Sequence, residues 1–147
     1  MPLEIINSPF SVELHGCGGV VRNKDYAGTG SALMGPLWTE VKSKQIKNKG
    51  INYWVYEAGE SLFTGVELVG EPPPDTILIK KKIALSSYAH CKHIGPYSGL
   101  KSTYDAMHAE LRARKIPFYF PFLEIYGNWT PDDSKLETEI LFSLNKQ

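Results

Sequence analysis

Cysteine is scarce in this chain, and only Cys17 and Cys91 occur in 147 residues. Two thiols make no disulfide framework, and no wider cluster of Cys and His supplies the four ligands of a structural zinc site. An excess of either charge is missing too: Lys and Arg total 16, Asp and Glu total 16, and the formal net charge is zero. That balance removes the electrostatic case for general nucleic-acid binding or for attraction to anionic membrane. No apolar run approaches the ~20 residues of a transmembrane helix. The opening MPLEIINSPF has neither the basic start nor the apolar centre of a signal peptide. The glycines of DYAGTGSALMG are followed by no Gly-Lys-Ser/Thr and show no dinucleotide-binding spacing, so they make no phosphate loop. The expectation is a cytoplasmic protein, a monomer or weak dimer, with no nucleic-acid or membrane partner.

What is present is the composition of an ordinary folded protein, 42% hydrophobic and 22% charged, of a length that suits one domain over residues 1–147. The most unusual stretch is IPFYFPFLEIYGNW, Ile116 to Trp129, in which a single acid, Glu124, stands among aromatic and β-branched residues. Such a run reads as a strand. Period-2 alternation puts Phe122, Glu124 and Tyr126 on one face and Leu123 and Ile125 on the other. An unpaired carboxylate is costly to bury. A Glu between two rings therefore either faces solvent at a sheet edge or marks a ligand pocket with an acid at its floor.

The remainder of the chain alternates helix and strand. Phe10, Val12 and Leu14 begin a strand that Gly16, Gly18 and Gly19 interrupt, so a bulge or bend is expected there. A helix is expected from about Pro36, with Met34, Leu37, Trp38 and Val41 on one stripe and Gly50 as its stop. Lys42, Lys44, Lys47 and Lys49 fall in its last turns, where cations complement the helix dipole. INYWVYE (51–57) and LFTGVELV (62–69) form a hairpin, EPPPD is a stiff connector, and 76–85, with Lys80, Lys81 and Lys82, is an exposed or edge strand. Tyr88 to Ile94 is a strand that Gly95-Pro96 ends. Leu100, Tyr104, Met107 and Leu111 form the clearest helical stripe, with Ser98 as cap and Pro117 beyond the end. The Glu124 strand pairs with a last strand, 138–144, across the turn NWTPDDS.

The order helix, strand, hairpin partner thus occurs twice. Trp38 leads to Tyr56 as Tyr104 leads to Tyr126, and on that alignment Trp54 faces Glu124. The fold class expected is α+β, with two strand-helix-strand-strand units over about 1–70 and 76–147 forming an antiparallel sheet with two main helices. A duplicated unit has a seam where ligands commonly sit.

Three segments carry a family resemblance: AHCKHIGPY (89–97), leading into the second helix; the Tyr-bearing helix 100–111; and PFLEIYGN (121–128), with its Pro-x-x-Glu-x-Tyr pattern. Over roughly 85–144 the chain resembles the GyrI-like small-molecule-binding domains, which also serve as effector-binding parts of AraC-type and MerR-type regulators. The resemblance implies paired strand-helix-strand-strand modules in pseudo-twofold arrangement, a central concave pocket and a carboxylate at Glu124. It also implies binding of lipophilic, often cationic ligands. A catalytic branch that hydrolyses strained cyclopropane-bearing electrophiles and members that contact DNA gyrase are the alternatives it brings. No helix-turn-helix is present, because strands separate the two helices.

On these grounds the expected function is binding of a flat, lipophilic small molecule. Glu124 supplies charge, and Trp54, Tyr56, Phe122, Tyr126, Tyr97, Tyr104 and Trp38 supply stacking surface. In a hydrolase, Glu124 would be general base, with Tyr126 and Tyr97 as hydroxyl donors. No cofactor is expected. Although Cys91 and His93 share a strand face, His90, Cys91 and His93 are too few for a metal site, and neither His15 nor His108 is singled out as a haem ligand. Asn128-Trp129-Thr130, followed by Pro131, is a turn.

Overall fold

Along residues 2–146, which the computed structural model describes, the chain runs β1 (Glu4–Ile6), β2 (Phe10–Val20), α1 (Tyr26–Ser43), β3 (Tyr53–Glu57), β4 (Ser61–Val66), β5 (Ile79–Leu85), β6 (Tyr88–Ile94), α2 (Leu100–Ala113), β7 (Tyr119–Tyr126) and β8 (Glu137–Ser143). The architecture is the α+β one expected, with strands and helices dividing into two units. A central unit spans Ser11–Ala84; a terminal unit takes the described residues up to Phe10 and from Leu85 onward. This division differs from a cut near residue 70, because β1 pairs antiparallel with β6 (Glu4 opposite His90), while β5 lies beside β2. Each unit is strand, helix, strand, strand with a fourth strand added: β3-β4-β2-β5 in the central unit, β7-β8-β6-β1 in the terminal one.

In the central unit α1 starts ten residues before Pro36, which corrects the expected helix start. Asp25 caps the helix, its carboxylate accepting from the Gly28 N–H at 3.0 Å. Glycine costs about 1 kcal/mol against alanine in a helix and interior proline about 3. The compensation is tertiary. A Cβ on Gly30 would lie 2.1 Å from the Trp54 indole, so glycine there lets β3 and α1 close on each other. Leu37 and Val41 then bury against Ile46, Val66 and Leu78. The helix ends at Ser43 rather than near Gly50, which sits at φ 76° in the connector. The connector before β5 is held by Glu40, whose carboxylate accepts from the Thr76 hydroxyl at 2.7 Å and the Ile77 N–H at 3.0 Å and pairs with Lys44 at 3.0 Å.

β2 does not stop at its glycines. It pairs with β4 from His15–Val66 to Val20–Ser61, and a Cβ on Gly16 would lie 1.8 Å from the Thr64 carbonyl oxygen. In place of the expected interruption there is a change of phase, with burial passing from the even positions through Leu14 to the odd positions after Gly16. β5 ends its row, and Lys80 and Lys81 reach Glu13 (3.6 Å) and Glu57 (2.8 Å).

In the terminal unit α2 buries Met107 and Leu111 on Ala89, Cys91, Ile140 and Phe142, as its stripe requires. Ser98 is not its cap. A 3-10 turn, Tyr97–Gly99, leads into the helix, and Gly99 at the cap position offers no side chain. That turn is pinned instead by His93, whose Nε2 lies 2.9 Å from the Pro96 carbonyl and Nδ1 2.8 Å from the Thr103 hydroxyl. β7 and β8 form the hairpin that carries the acid, with an irregularity between Tyr119 and Phe122 and then Glu124 opposite Ile140 and Tyr126 opposite Thr138.

Candidate functional site

β7 alternates as its sequence predicts, with Leu123 fully buried on one face and Phe122, Glu124 and Tyr126 on the other. Glu124 is not an edge acid in water: it is 4% exposed. Its burial is tolerable because both carboxylate oxygens accept hydroxyls. Tyr104, on the first turns of α2, donates to Oε2 at 2.6 Å, and Tyr126, two residues along the same strand face, donates to Oε1. The helical stripe of α2 and the period-2 pattern of β7 therefore converge on one carboxylate. Tyr97 packs edge-on against Tyr126, centroids 5.3 Å apart, and thereby buttresses the second of these phenols. Partial burial raises the Tyr97 hydroxyl above the ordinary phenol range, although the residue remains 41% exposed. Across the hairpin from Tyr126, Thr138 is fully buried, and its hydroxyl has no hydrogen-bond partner among the described residues.

Phe122 is half-buried and belongs to a stack of rings, 4.3 Å from Phe142 and 4.7 Å from Phe120. His108, one turn beyond Tyr104, lies flat on Phe118 at 5.1 Å and close to Phe142. Burial there, with Arg112 adding to it and Asp105 opposing, holds the imidazole below the ordinary histidine range.

The other predicted residues belong to the central unit. Trp54 and Tyr56 share a face of β3 with ring centroids 6.5 Å apart, Tyr26 of α1 stands 5.6 Å from Tyr56, and the Trp54 indole N–H points at the Met34 sulfur at 3.2 Å. Trp38 donates its indole N–H to Asn52 Oδ1 at 2.8 Å and packs on the Leu37–Val41 core, so its side chain is committed to holding α1 on the segment that enters β3. Within each unit, then, a helix and the first hairpin strand assemble an aromatic group, and the terminal one is built around Glu124. Tyr26 and His108 join these groups without a local signal in the sequence. Tyr26 lies in the glycine-rich stretch, and His108 is recognisable only as a neighbour of Tyr104 one helical turn on.

His93 is engaged as described, His90 faces Glu139 at 2.9 Å, and no three His, Cys, Asp or Glu side chains among the described residues gather to hold an ion.

No protein-family profile matches the chain, and no curated protein matches it either. Solved structures do. The C-terminal domain of EcmrR superposes with a TM-score of 0.70 at 18% identity, covering 97% of this chain and 94% of that one. SAV2435 bound to tetraphenylphosphonium gives 0.63 at 18% identity over 97% and 93%. A hydrolase from Listeria innocua gives 0.56 at 13% over 95% and 90%.

Proposed function

We propose that this chain, which has the GyrI-like α+β fold, is a small-molecule-binding protein whose terminal unit takes lipophilic cations at Glu124. The observation that carries the reading is the buried carboxylate with both oxygens already accepting phenol hydroxyls. That trio offers negative charge in a fixed place, while the rings of Tyr126 and Tyr97 offer faces and edges for a flat or ring-bearing ligand. A ligand N–H would compete with the phenols for the same oxygens. A charge-diffuse cation without N–H donors needs no such bond and loses less hydration on entering. The site therefore prefers onium compounds to primary amines of similar bulk. SAV2435, similar in fold, is bound to tetraphenylphosphonium, a cation of that type.

Calorimetric titration of tetraphenylphosphonium into wild type and Glu124→Gln tests this. Deleting one charge a few ångströms from a bound cation is worth about 1–3 kcal/mol in a partly buried site, roughly tenfold to a hundredfold in affinity. Equal affinity in both proteins, each folded by circular dichroism, refutes the role of Glu124.

A second reading, hydrolysis of a strained electrophile, draws on the same trio, since a carboxylate beside hydroxyl donors can activate water while a phenol stabilises the oxygen that gains charge. Mass spectrometry after incubation with a cyclopropane-bearing alkylating compound separates the two. A water adduct that Glu124→Gln fails to form makes the protein an enzyme; unaltered compound leaves it a binder.

A further inference from the structure

The flank of α2 turned away from Tyr104 carries a separate opening. A cavity of about 170 Å³ lies in the terminal unit, floored by Cys91, Met107 and Leu3 and rimmed by Ser102, Thr103, Ala106 and Glu110. Ser102, Ala106 and Glu110 recur every four residues, so one exposed stripe of α2 forms the rim, while Met107 and Cys91 are buried beneath it. Engineered cavities of ~150 Å³ hold one benzene ring. The floor is apolar and polarisable: a thioether, an aliphatic side chain, and a thiol that burial keeps protonated.

The polar side of the rim accepts hydrogen bonds. The Pro96 carbonyl can only accept, so His93 carries a hydrogen on Nε2, and its Nδ1 lies 2.8 Å from the Thr103 hydroxyl oxygen. That oxygen keeps a lone pair that can accept from a ligand. Glu110 adds a carboxylate, whose ion pair with Arg114 at 3.1 Å is half-exposed on both sides and of the weakly held kind.

We propose that this cavity is a second small-ligand site, selective for a primary ammonium carried on a single small ring or a short branched alkyl group. The apolar body sits on Met107 and Cys91, and the ammonium donates to Glu110 and Thr103. Its selectivity is opposite to that of the Glu124 site, because here the Glu110 carboxylate is held by a half-exposed, weakly held ion pair, whereas there each carboxylate oxygen already accepts a phenol hydroxyl. The two sites are independent.

The probe is benzylammonium, with benzyl alcohol as its uncharged analogue and benzyltrimethylammonium as its analogue without N–H. The full chain is labelled at methionine methyl carbons, and the Met107 resonance is followed by NMR through each titration. Benzylammonium is expected to shift it saturably, with either analogue about tenfold weaker or more, and Glu110→Gln about tenfold weaker for benzylammonium. Ala106→Leu, at an exposed helical position that leaves the fold intact, fills the mouth and abolishes the shift. Glu124→Gln leaves it unchanged, so failure at one site does not imply failure at the other. An unshifted Met107 methyl, equal binding of benzyl alcohol, or undiminished binding by Glu110→Gln overturns the proposal.

Discussion

Replacing Tyr104 or Tyr126 by Phe removes one oxygen atom and little else, which makes these substitutions the cleanest probes of the carboxylate trio. Each hydroxyl donates to an oxygen of a side chain only 4% exposed, so water cannot readily take its place. A hydrogen bond to a charged group contributes about 1.5–3 kcal/mol, and an acceptor left buried without its donor costs in the same range. For a protein of this length each kcal/mol lowers the melting temperature by roughly 2–4 °C. Tyr104→Phe and Tyr126→Phe are thus each expected to melt about 3–12 °C below wild type. The double variant should fall short of the sum or exceed it, since both donors share one acceptor group and contacts within a network do not add. Tyr119→Phe is the control: Tyr119 lies on the same strand, before the irregularity, and makes no hydrogen bond to Glu124, so it should melt within a degree or two of wild type. Scanning calorimetry at neutral pH reads all four variants against wild type. If both single variants melt with the control, the hydroxyls are not holding the carboxylate, and the basis for reading Glu124 as a preorganised charge is gone.

Two further outcomes follow from neighbouring residues. Thr138→Val should be neutral or stabilising by up to about 1 kcal/mol in urea melts, since it removes a fully buried hydroxyl that has no partner among the described residues and keeps the shape; clear destabilisation would mean the hydroxyl is bonded. For His108 the folded value is depressed, so the unfolded chain takes up a proton first as pH falls, and stability drops from about pH 6.5 downward until the folded ring also titrates. His108→Phe, which suits the stack on Phe118 and Phe142, should flatten that part of the melting-temperature profile between pH 7.5 and 5; an unchanged slope would place its origin elsewhere.

The elements legible in the sequence are those whose stabilisation is local or strictly periodic. β6 lies where its pattern and the Gly95-Pro96 stop put it, α2 buries the stripe that spacing picked out, and β7 alternates as read. α1 was legible only in its second half. Its first turns contain Gly28 and Gly30 and its interior Pro36, so propensity argues against a helix, and the indole that seats on Gly30 comes from a strand 24 residues away. Ser98 has the composition of a cap, but the chain uses His93 on Pro96 and Thr103 to fix the same corner, an arrangement no spacing rule predicts. The acid at 124 stood out because it breaks an apolar strand. That its partners are Tyr104 and Tyr126 required two periodicities to meet, whereas Trp38, an equally conspicuous aromatic, is taken up by Asn52 and the core.

The two units also bear on why the acid is there. In the central unit the residue two before the strand's tyrosine, on the same face, is Trp54, seated on α1; in the terminal unit the corresponding residue is Glu124, held by a phenol of α2. The same strand-helix-hairpin order closes with an indole in one case and a carboxylate in the other, so the architecture itself does not call for an acid at this position. Nor does stability, since exchanging a buried charged cluster for well-packed apolar groups is commonly neutral or favourable, by up to about 4 kcal/mol. A buried carboxylate with two dedicated hydroxyl donors, placed where the fold accepts an aromatic ring, is the kind of local cost that marks a functional site. It follows that a tightly packed apolar replacement, Glu124→Leu together with Tyr104→Phe and Tyr126→Phe, should equal or exceed the wild type in melting temperature while losing tetraphenylphosphonium. A replacement that unfolds the terminal unit instead would assign the trio to the fold and remove this argument for function.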